Sequence, residues 1–262
     1  MASLPTSATV AVIGAGTMGA GIAQVAAAAG HPVLLYDVAV GAVAKGIAAT
    51  RAGLDKLVER QKMGAAERDA LMGRIKPVET LDALAGAALV VEAVIEKLAV
   101  KHELMAALER IVKPDAILAT NTSSLSITEI AAHLRHPGRV VGMHFFNPAP
   151  VMALVEVITG VATAPEAAAT VFDTAKAWGK APVYAKSTPG FIANRIARPF
   201  YGEALKLLEE GAADAATLDA ILRDCGGFRM GPFELMDLIG IDVNFLVTKS
   251  VWEAFFHDPR YQ

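Results

Sequence analysis

The chain has 262 residues, of which 54% are hydrophobic, with one cysteine and a formal net charge of -3. That length allows one large domain or two unequal ones, each with a substantial core. The charge excludes a general attraction for nucleic acid, a lone Cys225 excludes an internal disulfide, and no apolar run is long enough to span a membrane.

The opening MASLPTSATV has neither the basic region nor the hydrophobic core of a signal peptide, so a short lead into the first strand and a cytoplasmic, reducing setting are expected. Val10 to Ile13 form an uninterrupted, β-branched apolar run, as a strand buried on both faces requires. Gly14-Ala15-Gly16-Thr17-Met18-Gly19 follows it. In such a turn the first glycine permits the sharp exit, the second lets backbone approach phosphate oxygens, and the third lets the next helix pack on the sheet. The helix runs through Ile22 and Val25 to Gly30, a C-terminal stop, and Val33 to Tyr36 form a second strand ending at Asp37. A carboxylate there accepts hydrogen bonds from ribose hydroxyls and repels a 2′-phosphate, so the unit reads as a dinucleotide site favouring NAD over NADP.

A helical arm is expected from about Ala39 to Arg60 and a shorter helix around Ala66 to Met72. Leu54, Leu57 and Val58 give the arm an apolar edge, with Lys45, Arg51, Lys56, Arg60 and Lys62 supplying positive charge nearby. Those charges read either as a solvated face or as a clamp for an acidic substrate handle. Strand-like runs recur at Ala88 to Ala93, Ala116 to Thr120, Arg139 to His144, Met152 to Ile158 and Pro182 to Ala185, with helices such as Lys97 to Val112 and Glu166 to Trp178 between them. The alternation predicts an α/β fold with a Rossmann-type, doubly wound, mostly parallel sheet. Lys186 to Gly190 break the pattern, and beyond them only helices are read, at 191–210, 216–224, 232–238 and 243–256. The expected organisation is a dinucleotide-binding domain over 1–186 and a smaller all-α domain over 187–262, with Cys225 as buried packing in the latter.

Glu156 lies inside the apolar run Val151 to Ile158, where a lone carboxylate is costly to bury and needs a partner. His144, in Gly-Met-His-Phe-Phe-Asn-Pro, sits where a strand runs out on the edge that binds ligands in such folds. If Glu156 accepts from one imidazole nitrogen, the other exchanges a proton with substrate; alone the pair reads as a structural bridge, but beside a cofactor fold it reads as a general base. Asn121, Thr122, Ser123 and Ser124 emerge on the same edge, with Ser123 a candidate donor to a substrate oxygen and Ser124 or Ser126 a helix cap. Asn194, just inside a helix after Thr188-Pro189-Gly190, has mediocre propensity there, which suggests either a side-chain task or simple exposure to solvent. Glu92 and Glu96 flank the end of a strand, one touching the nicotinamide side of the cofactor or either solvating the loop.

With these residues in hand, the chain resembles the L-3-hydroxyacyl-CoA dehydrogenases, including the bacterial 3-hydroxybutyryl-CoA type. The matching strings are VIGAGTMGAGIAQ, VVEAVIE, NTSSLSIT, GMHFFNPAPVMALVEVI, TPGFIANR and MGPFELMDLIG, in the family's order. The resemblance implies His144 as catalytic base, Glu156 as its orienting carboxylate, and Ser123 and Asn194 as partners of the reacting oxygen. It implies NAD held by Gly14, Gly16, Gly19 and Asp37, with Glu96 near the nicotinamide end; Thr17, Met18 and Asn121 are further candidates for the cofactor, and hydride transfer of this kind requires no metal. It further implies an acyl-CoA substrate, with coenzyme A bound by the basic arm, for which Lys56 and Arg60 are the candidates. The family's helical domain normally continues past the position of Gln262, and a homodimer is expected where that domain is complete. A dehydrogenase of a free hydroxy acid or sugar acid, and an NAD-binding protein that has lost catalysis, are the competing expectations.

Overall fold

Short apolar runs become strands and the stretches between them become helices. Residues 2–261, described by a computed structural model, form in order β1 (Val10–Ile13), α1 (Thr17–Ala28), β2 (Val33–Tyr36), α2 (Ala42–Glu59), α3 (Ala65–Arg74), β3 (Ile75–Pro77), β4 (Leu89–Glu92), α4 (Leu98–Ile111), β5 (Ile117–Thr120) and α5 (Ile127–Ala131). They continue with β6 (Val140–Phe145), β7 (Leu154–Thr159), α6 (Pro165–Ala177), β8 (Ala181–Lys186), α7 (Ala193–Glu209), α8 (Ala215–Asp224), α9 (Pro232–Ile239) and α10 (Ile241–Ala254). The chain divides into two units after Ser187.

The first unit is built on an 8-stranded sheet of order β3-β2-β1-β4-β5-β6-β7-β8. Every pairing is parallel except β6 with β7, which is antiparallel. Every residue of β1, β4, β5 and β6 is buried, as their largely apolar sequences suit strands covered on both faces, with Glu92, Thr120 and His144 as the polar exceptions. The small residues of α1 let it lie close on the sheet, burying Gly19, Ala20, Gly21, Ala23, Ala26 and Ala27 beside Ile22 and Val25. The core continues through Leu35, Leu54, Val91, Ala119, Val141, Val155 and Val171.

Some details differ from the sequence reading. The strand β3 is additional: it is a short edge strand of Ile75, Lys76 and Pro77, too brief to show alternation. The helix α2 starts at Ala42, because Gly41 takes a left-handed φ of 79° and sets the entry. The strand β7 starts at Leu154, two residues later than the apolar run suggests.

In the helical unit α7 packs on α9 and α10, and α8 on α9. Asp214 caps α8 by accepting from Thr217 N at 2.8 Å, and Pro232 occupies the first turn of α9. Cys225, expected to be buried, is exposed. It is the C-cap of α8, and the chain leaves through Gly227 at a φ of 73°, so its side chain sits where the helix has already left the packed layer.

Candidate active site

Parallel pairing brings the carboxyl ends of four strands to one edge of the sheet. One register row runs Tyr36, Ile13, Glu92, Thr120, Gly142, Ile158 across β2, β1, β4, β5, β6 and β7. Asp37, Gly14 and Asn121 each follow a member of that row, so chain ends chosen by strand length alone are gathered on the edge where open α/β sheets bind ligands.

His144 lies two residues past Gly142, and the antiparallel β7 places Glu156 directly across from it. Its Nδ1 is 2.7 Å from Glu156 Oε2, with Glu156 fully buried and His144 5% exposed. An ionised carboxylate only accepts, so the bond orients the ring with Nδ1 as donor and assigns proton exchange to Nε2. The ring also lies against Phe146, centroids 4.5 Å apart. Asn121 Oδ1 accepts from Phe145 N at 2.8 Å, so this side chain, expected on the cofactor, clamps the backbone next to His144.

Glu92 does not solvate the loop: it is fully buried and forms the centre of a second network. Lys101 Nζ donates to its Oε1 at 2.6 Å, Val94 N to the same oxygen at 2.7 Å, and Thr120 Oγ1 to Oε2 at 2.6 Å. The same ammonium lies 3.3 Å from Glu96 Oε2. Glu96 Oε1 accepts from Thr122 Oγ1 at 2.6 Å and Ser123 N at 2.8 Å, and lies 3.2 Å from Ser123 Oγ. One lysine therefore holds two carboxylates, and the outer one organises the turn that carries Ser123. Burial pushes the Glu96 carboxyl up, but Lys101 and the hydrogen bonds from Thr122 and Ser123 outweigh it, leaving the group below its usual range.

Sequence reasoning passed over Lys101, although a signal was present. It stands four residues before Met105 and seven before Leu108 on the buried stripe of α4, where a lysine calls for a carboxylate. Gly46 was also missed: a Cβ there would come 2.6 Å from Ala15 O, so α2 rests directly on the glycine-rich turn.

That turn fits a dinucleotide. Gly14 takes a φ of +96°, and a Cβ on Gly19 would lie 1.7 Å from Gly14 O, so both positions demand glycine for the fold itself. Around Gly16, in contrast, a Cβ would meet nothing within 4 Å. The fold does not need a glycine there, whereas a ligand approaching the backbone does. The first turn of α1 has no side-chain cap and no acidic residue, so its N–H groups and those of Thr17 and Met18 are suited to an anion. Asp37 Oδ2 accepts from Ala15 N at 2.7 Å and Oδ1 from Ala39 N at 2.8 Å, which locks the carboxylate beside the turn with lone pairs to spare for ribose hydroxyls.

The remaining candidates lie on helices or at a helix end. Lys56 and Arg60 are exposed, one turn from each other at the end of α2, and neither forms an ion pair among the described residues, whereas Arg51 lies 3.5 Å from Asp69 and Arg68 2.8 Å from Asp55. Asn194 is half-buried in the first turn of α7, within the helical unit.

Residues 9–188 match the family model for the 3-hydroxyacyl-CoA dehydrogenase, NAD binding domain, and residues 190–262 that for its C-terminal domain. The chain belongs to the 3-hydroxyacyl-CoA dehydrogenase family. Among family members, a 3-hydroxyadipyl-CoA dehydrogenase of Escherichia coli K12 is 53% identical over 97% of this chain and 53% of its own length. A 3-hydroxybutyryl-CoA dehydrogenase of Clostridioides difficile is 41% identical over 96% of this chain and 89% of its own. The crystal structure of (S)-3-hydroxybutyryl-CoA dehydrogenase from Ralstonia eutropha superposes with a TM-score of 0.93 at 39% identity, covering 97% of this chain and 89% of that one. The chain thus spans about half the length of the Escherichia coli relative and most of the other two. No helix among the described residues is long and apolar enough to cross a membrane.

Proposed function

We propose that this 3-hydroxyacyl-CoA dehydrogenase interconverts an L-3-hydroxyacyl-CoA and the corresponding 3-ketoacyl-CoA. The observation that carries the reading is the buried 2.7 Å bond between His144 Nδ1 and Glu156, at the carboxyl end of a strand on the same sheet edge as the dinucleotide turn. NAD, when bound, supplies the acceptor for the hydride that leaves carbon 3. In the oxidative direction His144 Nε2 takes the hydroxyl proton, and Glu156 stabilises the imidazolium that forms. In the reverse direction the protonated ring returns that proton and, with Ser123, offsets charge growing on the carbonyl oxygen; the family resemblance assigns Asn194 the same task. Glu96 supports the step indirectly by fixing the turn that carries Ser123. The exposed Lys56 and Arg60 are suited to the phosphates of coenzyme A, and comparing substrates with and without coenzyme A separates this reading from a free hydroxy acid dehydrogenase. A homodimer through the helical unit belongs to the same proposal, supported by the exposed Leu238, Ile241, Phe245 and Leu246. So does a reducing, cytoplasmic setting, supported by the exposed Cys225.

The test is loss of NADH absorbance on adding acetoacetyl-CoA to the purified chain. The His144→Gln variant is expected to keep NADH affinity while turnover falls about a hundredfold or more. Near-normal turnover in that variant removes His144 from the role.

A further inference from the structure

The helical unit holds a buried charge that the proposed chemistry does not use. Arg198 lies in α7 one turn beyond Asn194 and is 5% exposed. Its Nε donates to Asn194 O at 3.1 Å, and its Nη1 donates to Thr248 Oγ1 at 2.8 Å and Asn244 O at 3.3 Å. The Tyr201 ring lies beneath the guanidinium at 4.9 Å. All of these partners are neutral, and no carboxylate pairs with Arg198 among the described residues. Burial accordingly holds the guanidinium below its usual pKa, opposed only by Tyr201. Beside it Asn244 is 6% exposed, and its Nδ2 is a buried donor without a hydrogen-bond partner. The cluster between α7 and α10 therefore has positive charge and donors in surplus and no anion to receive them, an arrangement complementary to a carboxylate.

The spacing to Asn194 says whose carboxylate it is. Residues four apart share a helix face about 6 Å apart along the axis, and side chains lean toward the N-terminus. The bond from Arg198 Nε to Asn194 O places the guanidinium at the backbone of that residue. In the proposed function Asn194 meets the oxygen on carbon 3 of the acyl chain. Three further carbon–carbon bonds of about 1.5 Å each carry an extended chain to carbon 6, a reach comparable to one helical turn.

We propose that Arg198, with Asn244, binds the terminal carboxylate of a dicarboxylic acyl group, so that the preferred substrate is a six-carbon 3-hydroxy-dicarboxylyl-CoA. This rests on the dehydrogenase reading and specifies its substrate. A chain ending in methyl leaves the guanidinium buried and unpaired, whereas a carboxylate completes it, and sites built around such donors reject analogues that lack the acceptor.

The experiment compares NADH-dependent reduction of 3-oxoadipyl-CoA with that of 3-oxohexanoyl-CoA, which has the same length and no terminal charge. The wild-type chain is expected to favour 3-oxoadipyl-CoA by about tenfold or more in kcat/KM. The Arg198→Met variant is expected to lose most of that preference through a raised KM for the dicarboxylic substrate, and Arg198→Lys to recover part of it. Equal use of the two substrates by the wild type overturns the inference whether or not the variants fold, and so does a Met variant that slows both by the same factor, which marks a structural arginine. Reduction of neither substrate overturns the dehydrogenase reading itself, an outcome distinct from reduction of the uncharged one alone.

Discussion

In the sheet-bearing unit, His144 faces Glu156 at 2.7 Å and Lys101 faces Glu92 at 2.6 Å, whereas in the helical unit Arg198 faces only carbonyls, a hydroxyl and a ring. Both units take ionisable groups out of water, but the first supplies these two pairs with their counter-charge from a neighbouring element. The difference teaches where to look for ligands. A buried pair closed on itself orients a side chain, while a buried charge left open is completed by something the fold does not contain.

The comparison can be broken by stability measurements. Lys101→Met leaves Glu92 buried without its cation and should lower stability by about 3–5 kcal/mol, read from chemical denaturation. Arg198→Met removes a charge that has no counter-ion and should change stability by no more than about 1 kcal/mol by the same measurement. Losses of equal size would show that the two arginine and lysine sites are alike and would end the distinction.

A smaller effect concerns Glu96, whose carboxyl Lys101 and its hydrogen bonds hold below the usual glutamate range. Because its native pKa is depressed, the native state binds fewer protons than the unfolded chain near that pH. Its contribution is present in full above the unfolded value and fades as pH falls through the native one. The difference in urea midpoint between wild type and Glu96→Gln should therefore be largest near neutrality and shrink below about pH 4.5. A difference independent of pH would detach Glu96 from Lys101.

Much of the architecture was legible because its causes are local. Val10 to Ile13, the glycine turn and Asp37 sit in one continuous stretch, and their tasks follow from adjacent residues. The pairing of His144 with Glu156 was readable for another reason, since an acid inside an apolar strand demands a partner and few were near. Glu92 escaped because it ends its strand, where a carboxylate ordinarily meets water, and its lysine arrives from the following helix, nine residues on. β3 escaped because three residues ending in proline carry no periodic signal. Arg198 escaped because a basic residue in an amphipathic helix reads as solvated until packing against Asn244 and Thr248 is seen.

The antiparallel return of β7 has one last consequence. Strand residues point alternately to opposite faces, so the acid behind the imidazole is selected by whether the connection over 146–153 contains an even or an odd number of residues. Lys180 Nζ, donating to Ala149 O at 2.6 Å and Met152 O at 2.9 Å, pins that connection and leaves it little room to absorb a change. A single insertion passed on to the pairing would present Val155 to His144 and turn Glu156 to the far face, whereas a double insertion would return Glu156 to the near face but set it opposite Gly142. The chemistry is thus guarded by the length of a loop that contributes neither member of the pair.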